Sequence, residues 1–244
     1  MPTYLSPGIY TRETDFSFYV KQISTSSAAM VGVAEKGPIN KPVLVTSWEQ
    51  FINRFGSYIN ESYLAYAARA FFDNGGSVLY VTRIAHLTDP TDRDTLTALK
   101  SSIVLQNREA TPADALRIEA VNEGVWGDRL SVSIEDGSLD PANHFNLVVR
   151  HKGDVVEVFK DLSMDETLPN HVELAINDRS DFILVQDLAA AMGTPSDRPA
   201  LGVFTLSGGD NGLTDLADAD FIGDPSQHTG LYGFDEIDAL NLLM

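Results

Sequence analysis

Imidazole can bind metals or move protons near neutral pH, so the five histidines are weighed first: His86, His144, His151, His171 and His228. No two stand at i, i+4 with a glutamate between them, so the helical zinc-protease pattern is missing. His144 and His151 flank a strand-like run, which puts them at opposite ends and on opposite faces. A metal needs converging ligands, and this spacing supplies none. The histidines read as structural or surface residues. With no cysteine in the chain, thiolate zinc sites, iron–sulfur clusters, disulfides and cysteine nucleophiles drop out together.

Glycine-rich loops are the other chemical signal. Gly32-Val33-Ala34-Glu35-Lys36-Gly37 follows a strand-like run, as a dinucleotide loop would. Pro38 and Pro42 then occupy the place where a helix N-terminus should meet a pyrophosphate, so a turn at a strand end is the better reading. Ser207-Gly208-Gly209-Asp210-Asn211-Gly212 lacks the Gly-Lys-Ser/Thr ending of a phosphate loop and reads as a domain-junction loop. There is no Gly-x-Ser-x-Gly elbow. Acidic runs at Asp215, Asp218 and Asp220 and at Asp235, Glu236 and Asp238 match no EF-hand and read as solvated faces. They leave paired-carboxylate chemistry open as an alternative, in an α/β enzyme with an unrecognised site. No constellation here makes a catalytic, cofactor-binding or metal site, and the expectation is a protein that is not an enzyme.

The elements that would position such groups follow from patterning. The 244 residues are 43% hydrophobic and 21% charged, as in a folded protein with a sizeable core. The net charge of -18, from 35 acidic and 17 basic residues, argues against a nucleic-acid groove. No apolar stretch approaches the roughly 20 residues of a membrane helix, and the N-terminus lacks a signal-peptide pattern. Synthesis and folding in a cytoplasm, without membrane insertion, are expected.

Residues 1–22 read as an extended arm of β-forming and aromatic residues punctuated by Pro7-Gly8, able to reach about 70 Å at roughly 3.3 Å per residue. A frayed terminus or an edge strand of the same domain is the plainer reading. Residues 23–88 alternate strand and helix. Ala28 to Val33 form an apolar run covered on both faces, and Val43-Leu44-Val45 is a second strand. Ser47 and Gln50 have capping-box spacing ahead of a helix carrying Trp48, Phe51, Ile52 and Phe55 on one face, ended by Gly56. A second helix from near Ser62 presents Leu64, Ala67, Ala68, Phe71 and Phe72, and Val78 to Thr82 follow as a strand.

Residues 86 to about 115 read as a polar connector. Beyond it the period changes to two, with strands at 116–120, 130–134, 145–149, 155–159 and 182–185 and one helix presenting Val172, Ala175 and Ile176. Residues 89–205 are thus expected to form a β-rich domain. From Leu206 the pattern shifts again, and the terminal Ala239-Leu240-Asn241-Leu242-Leu243-Met244 reads as one element of an interrupted domain. The expected fold is α+β: an incomplete α/β core of residues 23–88 and 206–244, an inserted β-rich domain, and the N-terminal arm.

Six motifs in chain order resemble one family. They are Tyr4-Leu5-Ser6-Pro7-Gly8-Ile9-Tyr10 with Glu13; Gly32 to Gly37-Pro38; and Phe51 to Phe55-Gly56. Phe71-Phe72-Asp73-Asn74-Gly75-Gly76 with Val78, Tyr80, Val81 and Arg83 follows, then Gly124-Val125-Trp126-Gly127-Asp128, then Leu206 to Gly212. Together they resemble contractile phage tail sheath proteins. Those usually run well past this length, so the chain looks like a fragment or a shorter relative.

The resemblance implies a virion structural protein, made in the bacterial cytoplasm, that polymerises as stacked six-fold rings around an inner tube. Contraction of that helical assembly would drive the tube through an envelope. Implied partners are other sheath subunits, the inner tail tube, and the baseplate and tail terminator proteins, with no nucleic acid and no cofactor. The arm residues Tyr10, Phe16, Phe18 and Tyr19 are expected to anchor on a neighbouring subunit. A tail-tube or baseplate component is the alternative within the same class. A carbohydrate-binding module, with Trp126 stacking on sugar, is a further one, against the plainer reading of Trp126 as a turn or core residue.

Overall fold

The computed structural model describes residues 27–86, 97–188, 197–237 and 240–244. The arm residues Tyr10, Phe16, Phe18 and Tyr19 lie outside them. In chain order the first elements are β1 (Ser27–Gly32), β2 (Val43–Val45), α1 (Trp48–Phe55), α2 (Leu64–Asp73) and β3 (Val78–Arg83). The middle holds β4 (Ala98–Leu99), β5 (Ser102–Gln106), β6 (Asp114–Ala120), β7 (Leu130–Asp136), β8 (Phe145–His151), β9 (Asp154–Leu162), α3 (Val172–Ile176), β10 (Ile183–Asp187) and β11 (Gly202–Thr205). The last are β12 (Asp210–Asn211), α4 (Asp218–Ile222) and β13 (Leu242–Leu243).

The first sheet has the order β13-β1-β3-β2, with β1 parallel to both β3 and β13 and β2 antiparallel to β3. Its central strand β1 is covered on both faces, and Ala28, Ala29 and Met30 are all buried. Helix α1 starts where Ser47 Oγ accepts from Gln50 N–H at 3.2 Å. The return bond of a capping box lands one residue early: Gln50 Oε1 accepts from Thr46 N–H and Oγ–H, at 2.9 and 3.0 Å. Phe51 and Phe55 are buried against Met30, Val45, Leu64, Leu79 and Val81. Each ring contributes about 1.5–3 kcal/mol through its removal from water.

Two antiparallel sheets, β10-β6-β5 and β11-β7-β8-β9, enclose a second core closed by α3. Leu116, Ile118 and Ala120 point into it, while Arg117 is exposed between them. Register pairs Ile118 with Ile103 and Val185, and Val132 with Val149 and Phe204. The architecture is mixed α+β.

Residues 98–106 correct the connector reading. Ser102–Gln106 is a full strand beside β6, and Ala98–Leu99 pairs with β12. Of the β5 side chains only Leu105 is buried, so an outer strand with polar ends left too little apolar signal to read. Strand β11 was missed for the same reason: three of its four residues are exposed and Phe204 is half-buried.

Candidate functional site

Three segments singled out from the sequence meet in one place: the turn after β1, the Gly-Val-Trp-Gly-Asp stretch before β7, and the Ser207–Gly212 loop. Val125–Arg129 form a short 3-10 turn, with Gly124 as its N-cap and Trp126 buried. Gly124 has φ 126°, and a Cβ there would lie 2.8 Å from Asn211 Oδ1 and 3.0 Å from the Glu35 carbonyl. Only glycine allows the three chain segments to approach so closely.

Hydrogen bonds then lock the crossing. Asp128 Oδ1 accepts from Ser101 Oγ–H at 2.7 Å and from Gly209 N–H at 3.0 Å. Asn211 Oδ1 accepts from Val125 N–H at 3.0 Å, and Gly124 N–H donates to the Leu99 carbonyl at 2.9 Å. Glu35 joins the two cores: its Oε1 accepts from Arg129 Nη1 at 2.9 Å, and its Oε2 accepts from Ser57 N–H at 2.9 Å. The Arg83 guanidinium is fully buried behind this turn and donates to the Gly37 and Glu123 carbonyls at 3.0 and 2.8 Å. Burial pushes its pKa down to about 10.

Beside the crossing, Lys36 Nζ lies 5.5 Å from the Trp126 ring centroid and 5.4 Å from that of Phe182. Burial pushes the Lys36 pKa down, against the raising effect of the Glu35 and Asp181 carboxylates. His151 stands edge-on to Trp126 at 6.3 Å, and its pKa is lowered first by burial and then by the positive charges of Lys152 and Lys36.

The remaining candidates are dispersed. His86 pairs with Asp220 of the first acidic run at 3.1 Å, tying the exit of β3 to α4. His171 and Asp187 form a buried pair at 3.2 Å beside α3. His144 precedes β8 while His151 ends it. Among the described residues no three His, Asp or Glu side chains come together as a metal would require. Asp238 lies outside the described residues.

What sequence reading missed is the crossing itself. Glu35 and Asp128 lay inside quoted motifs, but their partners Arg129, Ser57 and Ser101 carry no pattern of their own. The arrangement joins two cores and fixes their chain crossings. It also leaves β13 and β2 as the outer strands of the first sheet, with Leu242 and Leu243 about half exposed.

Residues 25–84 match the family model of the tail sheath protein Gp18 domain III, N-terminal region. That span runs from just before β1 to just past β3. A solved sheath tail protein from Desulfitobacterium hafniense shares the fold, with a TM-score of 0.53 at 13% identity over 97% of this chain and 45% of that one. A sheath tail protein from Listeria innocua aligns with a TM-score of 0.49 at 12% identity, over 76% of this chain and 34% of that one. The chain thus spans less than half the length of either solved protein. No curated protein matches it. Residues 25–84 are thus similar to the N-terminal region of domain III of a tail sheath protein.

Proposed function

We propose that the chain is a structural subunit of a contractile tail sheath and that it carries no catalytic site. The observation that carries this reading is the family match over residues 25–84, which falls on the β1–α1–α2–β3 unit. Residues 23–88 and 206–244 form the core in this reading, and residues 89–205 are the inserted β-rich domain. The parallel pairing of β13 with β1 supports it, since it brings residue 242 beside residue 28 across the whole intervening chain.

Subunits stack as six-fold rings around an inner tube and contract as a two-state array, each ring biasing the next. The arm of residues 1–22 crosses to a neighbour, with Tyr10, Phe16, Phe18 and Tyr19 supplying apolar anchors. Inner tube, baseplate and terminator proteins are the further partners, and the assembled site is the virion tail after synthesis in the bacterial cytoplasm.

Negative-stain microscopy of the assembled protein tests this. Ringed cylinders of two lengths are expected, and smooth tubes of one fixed length would assign the chain to the tail tube instead. Deleting residues 1–20 should abolish the cylinders while circular dichroism stays unchanged; normal cylinders from the deleted protein would refute the arm's role.

A further inference from the structure

The cleft between α1 and the loop before β10 has a volume of about 650 Å³ and is lined in part by Lys36, Gln50, Asn53, Arg54, Asp181 and Phe182. Its charge is anomalous for this chain. The whole sequence carries -18, whereas two of these six side chains are cations and one is a carboxylate. Neither cation is well neutralised. Arg54 stands 3.9 Å from Asp181, with side chains 64% and 81% exposed, a geometry of little energetic value. Lys36 has no carboxylate within ion-pair distance among the described residues, because the adjacent Glu35 is engaged by Arg129 and Ser57. Its ammonium instead lies over the rings of Trp126 and Phe182.

We propose that this cleft receives an acidic surface segment of a second copy of the chain, whose carboxylate pairs with Lys36 and Arg54. This inference rests on the self-assembly part of the proposed function. Charge complementarity names the occupant: with 35 acidic against 17 basic residues, another copy presents carboxylates in excess, whereas cationic docking sites are scarce. A carboxylate entering the cleft meets an ammonium already partly stripped of water by two rings, so the desolvation opposing the pair falls mainly on the incoming carboxylate. The contact is heterologous, cleft against acidic surface. Such contacts close into rings or propagate as helices rather than stopping at a two-fold dimer.

The test is zero-length carbodiimide cross-linking of particles assembled from mixed unlabelled and ¹⁵N-labelled full chain at low salt. The expected product is a mixed-isotope peptide joining Lys36 Nζ to an Asp or Glu of the other copy. Its yield should fall at least several-fold in 1 M salt and in the Arg54→Gln variant, with circular dichroism reporting that the variant is folded. Particles that assemble without any inter-copy Lys36 link, or with links indifferent to salt and to Arg54→Gln, would overturn the cleft assignment and leave the sheath reading standing. Failure of the wild type to form particles by microscopy would overturn the sheath reading and this inference with it.

Discussion

Changing Glu35 to Gln alters one atom's chemistry at the point where the two cores are joined. In the wild type both carboxylate oxygens are used, by Arg129 Nη1 and Ser57 N–H, each at 2.9 Å. The side chain is 15% exposed and that of Arg129 50%, so the ion pair is intermediate between a surface and a buried one. At an effective dielectric between those limits the pair is worth about 1 kcal/mol after solvent screening. The amide bond to a charged acceptor is worth about 1.5–3 kcal/mol, and a neutral Gln oxygen retains about 1 of it. Glu35→Gln should therefore cost about 2 kcal/mol. With a urea slope of roughly 2–3 kcal/mol/M for a chain of this size, the midpoint drops by about 0.7–1 M.

Gly56 packs closely on this side chain, for a Cβ there would lie 2.5 Å from Glu35 Oε2. A double-mutant cycle with Arg129→Met isolates the pair. A coupling of about 1 kcal/mol at low salt, roughly halved in 0.5 M salt, is expected. Strictly additive single mutants at low salt would refute the claim that this ion pair fastens the two cores.

Gly124→Ala forces a side chain into the left-handed region and against Asn211 and the Glu35 carbonyl. A loss of at least about 2 kcal/mol is expected in thermal denaturation, from strain plus clash. Lys36→Met should change stability by less than about 1 kcal/mol in either direction, because lost cation–π attraction offsets relieved desolvation. A pH scan checks the sign. The folded-state pKa of Lys36 lies below the ordinary 10.5, so between those values the unfolded chain holds the extra proton and stability rises with pH. That rise should be missing from Lys36→Met.

Local pattern carried much of the fold. Phe51 and Phe55, one helical turn apart behind Ser47, marked α1, and the alternation of Leu116, Ile118 and Ala120 marked β6. Both signals are short-range consequences of one-sided burial. Strands β5 and β11 escaped because each is an outer strand of its sheet and buries little, which leaves period-two alternation with nothing to modulate. The partner of Leu242 and Leu243 was beyond reach for another reason. Parallel pairing across some two hundred residues leaves no trace in either strand, only an apolar segment needing a neighbour. At the crossing, glycine and tryptophan were visible as motifs, while the polar side chains that make the bonds were indistinguishable from surface residues.

The same crossing gives the glycine-rich segments that resemble catalytic loops a structural task. A phosphate loop and a chain crossing both need backbone to approach closely, and glycine satisfies either demand. What separates them is the direction of the donors. Here the backbone amides of Val125 and Gly209 are donated to Asn211 and Asp128, so these two are not offered to an anion. The two apolar cores are distinct clusters, and between them stand the Glu35–Arg129 pair, the Lys36 ammonium on two rings, and the hydrogen bonds of Asp128 and Asn211. Polar contacts of this kind weaken steeply with angle and distance, whereas a packed core resists deformation as a unit. Load applied to one core would therefore be resisted within each core and yielded first at the crossing. Salt acts at the same place, so raised ionic strength should loosen the relation of the two cores before it lowers the stability of either.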